Sequence, residues 1–126
     1  MRTRALWLQS GLCALIGLGV VLQVYLIAAY IFHAGPGALT AHKAVGAIVL
    51  VLEVLVFAVG LLAWWGHPRA LWLSLALPVI GGVQIAFAGA TQWIGAIHGA
   101  GAVVVLLLAG AIHVMAMREA QRFPRH

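Results

Sequence analysis

Charge is what this chain has least of. Of its 126 residues, 7% are Asp, Glu, Lys or Arg, and only 2 of those are acidic. A water-soluble domain carries roughly 25% charged residues, so an ordinary soluble globular domain is excluded. Cysteine is almost missing: the single one, Cys13, lies inside an apolar run. No intrachain disulfide is available, and cysteine says nothing about redox compartment. No Ser/His/Asp set, phosphate-binding loop or zinc-ligand spacing occurs either.

What is present is apolar. Hydrophobic residues make up 65% of the chain and mean hydropathy is +1.13, so the expected solvent is a lipid bilayer. The net charge of +5 rests on 7 Lys and Arg. A basic balance often points to nucleic acid. Here the positive residues sit at the chain ends and in one loop, as in cytoplasmic loops of membrane proteins, and nucleic-acid binding is not expected.

Four apolar runs approach or exceed the ~20 residues needed to cross a bilayer. They predict spans over about 5–32, 40–65, 70–90 and 93–117. His33-Ala34-Gly35-Pro36-Gly37 stops the first run, and Thr40 is a candidate N-cap for the second. Gly66-His67-Pro68-Arg69 closes the second, and Pro78 lies within the third. The first run is too long for a signal-peptide core of about 7–15 residues, so an uncleaved helix is expected. Short connections make consecutive helices antiparallel neighbours. The expected fold is all-α: a single domain, 1–126, forming an integral-membrane, up-down-up-down four-helix bundle.

Arg2, Arg4, Arg69, Arg118, Arg122 and Arg125 fall on one side and Lys43 on the other. The positive-inside rule puts the arginine side, with both termini, in the cytoplasm, and the expected location is a bacterial-type inner membrane. Trp7, Trp64, Trp65 and Trp72 would form the cytoplasmic aromatic belt and Trp93 the outer one.

Polar side chains are costly inside a bilayer, so Gln23, His42, Glu53, Gln84, His98 and His113 stand out. His42 opens the second run and His98 the fourth, in helices of the same direction, so both lie at similar depth near the outer face. Neutral imidazole is a strong ligand for haem iron. Gly46 follows His42 by one turn, and Gly95, Gly99 and Gly101 flank His98. Such small residues let a flat macrocycle approach the backbone, although Gly95-x-x-x-Gly99 also suits plain helix packing. The pair predicts axial ligation of one b-type haem. No Cys-x-x-Cys-His occurs, which excludes covalent c-type attachment.

Glu53 lies 11 residues after His42, within about 20° of its face and about 16 Å deeper; His113, 15 residues after His98, lies within about 60° and about 22 Å deeper. A carboxylate in lipid must be protonated or paired. Gln23, Glu53 and His113 form one candidate cluster, for proton transfer or for fixing helix register. A second haem between His67 and His113 is a further alternative. His33 and His67 read as solvated, with His33 also within reach of a haem propionate or an axial position, and His126 lies in the polar tail with no role expected. Met115 and Met117 read as packing, as do Tyr25 and Tyr30.

From Leu77 to Val114 the chain resembles the third and fourth helices of one half of haem A synthase. The matching residues are Gln84, then Gly89, a short turn, Trp93, and the pair Ile97-His98 opening the last helix. His42 stands where that half-bundle has its other histidine. The resemblance implies haem held by His42 and His98 on the outer side, with cytoplasmic termini. Small four-helix membrane proteins of similar length share the pattern, and the ascorbate-reducible transmembrane b-cytochromes use a similar logic with two haems. This chain has one half rather than two, no cysteine pair in residues 34–39 and no glutamate just before His42. What the resemblance implies is therefore haem binding rather than synthase activity.

The expected function is one-electron transfer by a bis-histidine cytochrome. The expected partners are the bilayer, a quinone or another redox protein, and a second copy of the chain. The alternatives are a haem-free accessory or assembly subunit, and a small proton-coupled transporter built on Glu53.

Overall fold

A computed structural model describes residues 1–89 and 92–122. Ala90 (the expected end of the third span), Thr91 and residues 123–126, which include His126, lie outside the described residues. The chain forms four helices: α1 (Arg2–Ile31), α2 (Pro36–Ala63), α3 (Pro68–Phe87) and α4 (Gln92–Gln121). Each is long and apolar enough to cross a membrane. The shortest, α3, has 20 residues, about 30 Å at 1.5 Å per residue, which matches the hydrocarbon thickness of a bilayer.

The helices close into a ring. α1 packs against α2 and α4, and α3 packs against the same two. The diagonal partners α1/α3 and α2/α4 do not approach backbone to backbone among the described residues. Arg2 at the start of α1 reaches Ala63 at the end of α2 and Glu119 at the end of α4, so neighbours run antiparallel. One end of the bundle therefore carries the starts of α1 and α3, here called the terminal end. The other carries the starts of α2 and α4, here called the histidine end.

Buried positions recur every three or four residues. On α2 they are Val49, Glu53, Val56, Gly60 and Ala63, and on α4 Val105, Ala109, Ile112, Ala116 and Ala120. On α1 the series runs Leu6, Gln9, Cys13, Ile16 and Val20, and on α3 Ala70, Ser74, Leu77, Gly81 and Gln84. That spacing is the heptad seam of a left-handed bundle. Only 17–28% of each span is buried. Large apolar residues such as Leu18, Leu62 and Leu107 face outward while Gln9, Glu53 and Ser74 face in. This inside-out distribution suits a hydrocarbon solvent.

The structure corrects several boundaries. α2 begins at Pro36, not Thr40. Proline at the first helical position lacks only an N–H that would be unsatisfied there anyway, and Gly35 supplies the preceding φ of 97°. Thr40 lies within α2, its Oγ1 donating to Pro36 O at 3.2 Å. α4 continues past Met117 to Gln121 because Ala120 packs on the Ala5–Leu6 cluster and Glu119 pairs with Arg2 and Arg122. Trp64 is not part of an outward belt: it is 4% exposed, and its indole donates to Gln9 Oε1 at 2.6 Å.

Candidate functional site

His42 and His98 meet across the α2/α4 diagonal. Their ring centroids are 6.0 Å apart and their planes cross at 77°. Each is held by the helix that precedes its own. His42 Nδ1 lies 3.1 Å from the Gln23 carbonyl of α1, and His98 Nδ1 lies 3.0 Å from the Gln84 carbonyl of α3. A carbonyl only accepts, so both Nδ1 atoms carry the proton and donate. Each Nε2 then keeps its lone pair free for a ligand. Such a backbone contact orients histidine ligands in metal sites.

The two hairpins repeat the arrangement. In α1–α2, Gln23 supplies the carbonyl and lays its side chain against Gly46, where a Cβ would come within 2.7 Å of Gln23 Nε2. In α3–α4, Gln84 supplies the carbonyl and lies against Gly101, where a Cβ would come within 2.8 Å of Gln84 Cβ. Glutamine, histidine and glycine thus recur as a set in each half. The glycines are needed because a glutamine side chain occupies the space beside the helix.

Between the four helices is a cavity of about 320 Å³ whose lining includes His42, His98, Gln23, Gln84, Gly46, Gly99, Glu53 and Lys43. This lies within the ~300–1,000 Å³ range of small-molecule and cofactor sites. Its walls are otherwise mainly apolar, with Val20, Val24, Ile27, Val49, Leu50 and Ile85. The four buried side-chain atoms without a hydrogen-bond partner among the described residues are Gln23 Oε1, Glu53 Oε1, Glu53 Oε2 and Gln84 Oε1. All four belong to residues lining this cavity. Glu53 is fully buried. Gly81 of α3 packs on it so closely that any Cβ there would collide with Glu53 Oε2.

The terminal half differs: its interior polar groups are paired. Gln9 donates to Val56 O at 3.1 Å and to Ser74 Oγ at 3.0 Å, while its Oε1 accepts from Trp64. Ser74 Oγ donates to Ala70 O at 3.0 Å. His113 Nδ1 lies 2.9 Å from Ser10 Oγ and 3.0 Å from Ser10 O, tying α4 to α1.

The expected Gln23–Glu53–His113 cluster is therefore divided. Gln23 and Glu53 line the cavity, whereas His113 bonds to Ser10. His67 is not brought to His113: its Nδ1 lies 3.2 Å from Trp65 O and its ring meets Trp64 edge-on. His33 sits in the α1–α2 turn with Tyr30, Ile31, Gly35 and Pro36, outside the cavity. Gly99 lines the cavity and Gly95 does not. Sequence reasoning passed over Gln9, Ser10 and Ser74, whose spacing on the buried seams marks them as interior. It also missed the Gln23–Gly46 and Gln84–Gly101 repeat, visible as glutamine in the first helix of each hairpin and His-x-x-x-Gly (His42 to Gly46) or His-x-x-Gly (His98 to Gly101) in the second.

Among the described residues no group of three or more His, Cys, Asp and Glu gathers to hold a metal ion; the His42–His98 pair offers two donors. No family model, curated protein or solved structure matches the chain.

Proposed function

We propose that this chain is a multi-pass membrane cytochrome that holds one b-type haem between His42 and His98 and passes single electrons. The observation that carries this reading is the His42–His98 separation of 6.0 Å. A ligating imidazole nitrogen lies about 2 Å from its metal, which puts the ring centre roughly 3 Å away. Two rings on opposite sides of one metal are then about 6 Å apart. The Gln23 and Gln84 carbonyls fix both rings with Nε2 free, and the apolar cavity gives a flat macrocycle its walls.

When bound, haem supplies a one-electron couple. The protein's residues do the rest. His42 of α2 and His98 of α4 would hold the haem iron, each oriented by its carbonyl partner. Lys43, at the same cavity, offers a cation to a haem carboxylate. The arginines at the terminal end orient the chain with its termini in the cytoplasm and its histidine end outward, in a bacterial-type inner membrane. One site near one face does not move electrons across a bilayer, so the partner is a mobile quinol or a redox protein on the same side. A second copy of the chain would restore a two-half arrangement.

Haem titration into the detergent-purified, haem-depleted protein tests the reading. The expected result is a saturable Soret band at one haem per chain. His42→Ala and His98→Ala should each weaken binding at least about tenfold, the lower end for losing even a residue that only orients a ligand. Non-saturable uptake, or uptake indifferent to both histidines, would overturn it.

A further inference from the structure

The floor of the same cavity carries polar groups of its own. Glu53 lies 11 residues beyond His42 on α2, about 16 Å along the helix at 1.5 Å per residue. Its carboxyl is fully buried, lines the cavity and has no hydrogen-bond partner on either oxygen among the described residues. Gln84 Oε1 and Gln23 Oε1 lack partners in the same cavity. Buried polar groups are nearly always satisfied. In the terminal half of this same bundle, both the nitrogen and the oxygen of the Gln9 amide are bonded. Unpartnered acceptors confined to one cavity mark a place where a ligand supplies the donors.

We propose that the Glu53 floor binds the ring hydroxyl of a lipid-soluble hydroquinone. This rests in part on the electron-transfer reading above, since it names that site's small-molecule partner. The chemistry selects the class in three steps. Four unpaired acceptor oxygens belong to residues lining the cavity, and the Glu53 carboxyl can itself carry at most one proton, so the ligand must supply donors to the rest. The surrounding walls are Val20, Val49, Leu50 and Ile85, so the rest of the ligand is apolar and arrives through lipid. Burying an ammonium among these apolar walls costs far more than burying a neutral hydroxyl, which favours the hydroxyl. Gly81 leaves the room the Glu53 carboxyl occupies, and any side chain there would displace it.

The test is displacement of a tritiated decyl-hydroquinone from the full-length protein in detergent, kept anaerobic. The competitors are unlabelled decyl-hydroquinone, its dimethyl ether, which has no donor, and decylamine. The hydroquinone should compete at least tenfold better than the ether and the amine. Glu53→Leu should shrink that preference to within about twofold. Gly81→Ala, which drives a methyl group into the carboxyl, should do the same and carries the test if Glu53→Leu does not fold. The preference should persist in the His42→Ala/His98→Ala protein, so a colourless wild type that still prefers the hydroquinone would refute the haem and leave this site standing. Equal competition by the ether, better competition by the amine, or a preference that survives both Glu53→Leu and Gly81→Ala would overturn the proposal.

Discussion

His33 adopts a φ of 65° just after the end of α1. Ala34 N–H bonds to Ala29 O at 2.9 Å and His33 N–H to Tyr30 O at 3.1 Å. This is a Schellman cap, whose left-handed position most helices give to glycine. His33 thus occupies a left-handed turn position, at the cost of a Cβ clash. His33→Gly should raise stability by about 0.5–1 kcal/mol, read as a shifted midpoint in SDS titration of the detergent-solubilised protein. Gln9 shows the opposite case. Gln9→Leu leaves Trp64 Nε1 without its acceptor and removes the bonds to Val56 and Ser74. It should lower stability by about 1–3 kcal/mol in the same titration and leave the histidine pair intact. The histidine pair is legible in sequence because ionisable residues are rare in apolar runs. Its carbonyl partners are not, because a backbone oxygen has no residue code and the register of α1 on α2 decides which carbonyl it is.

At the scale of the helix, apolar runs reveal that four helices exist but not which faces meet. Every face of these helices is apolar, so hydrophobicity cannot mark the interior. What marks it is small and polar residues at heptad spacing, such as Ala109 and Ala116 on α4 and Ser74 and Gly81 on α3. Ala109→Leu should overpack that seam and cost about 1–3 kcal/mol. Val103→Leu on the same helix, 57% exposed, should stay within about 0.5 kcal/mol. Comparing their SDS midpoints checks the facing of α4. Helix starts were harder to read than helix bodies. The Gly35-Pro36-Gly37 stretch resembles a stop, yet Pro36 opens α2, because the same two residue types end one helix and begin the next.

Across the whole molecule, the bundle divides into a stitched half and an open half. The terminal half is closed by the Gln9 network, the His113–Ser10 contact and the Arg2–Glu119 pair at 2.9 Å. The histidine half holds the cavity and its unpartnered acceptors. This division was not legible in the sequence, where Glu53 and His113 look like members of one cluster. They separate because His113 lies beside Ser10 of α1 while Glu53 faces Gly81 of α3. The arginine distribution predicts the direction of insertion. In Cys13→Ser protein, cysteines introduced at Arg69 and Arg122 should react with a membrane-impermeant maleimide only after the cytoplasmic face is opened. One introduced at Ala34 should react in intact cells. The reverse pattern would invert the topology.

The central claim is that His42 and His98 together hold haem. The most direct measurement is a dithionite-reduced minus oxidised absorption spectrum of the purified protein expressed with ample haem, with His42→Ala and His98→Ala beside it. Sharp reduced α and Soret bands that collapse in both variants are the predicted result. A colourless wild type, or bands unchanged in either variant, would contradict it.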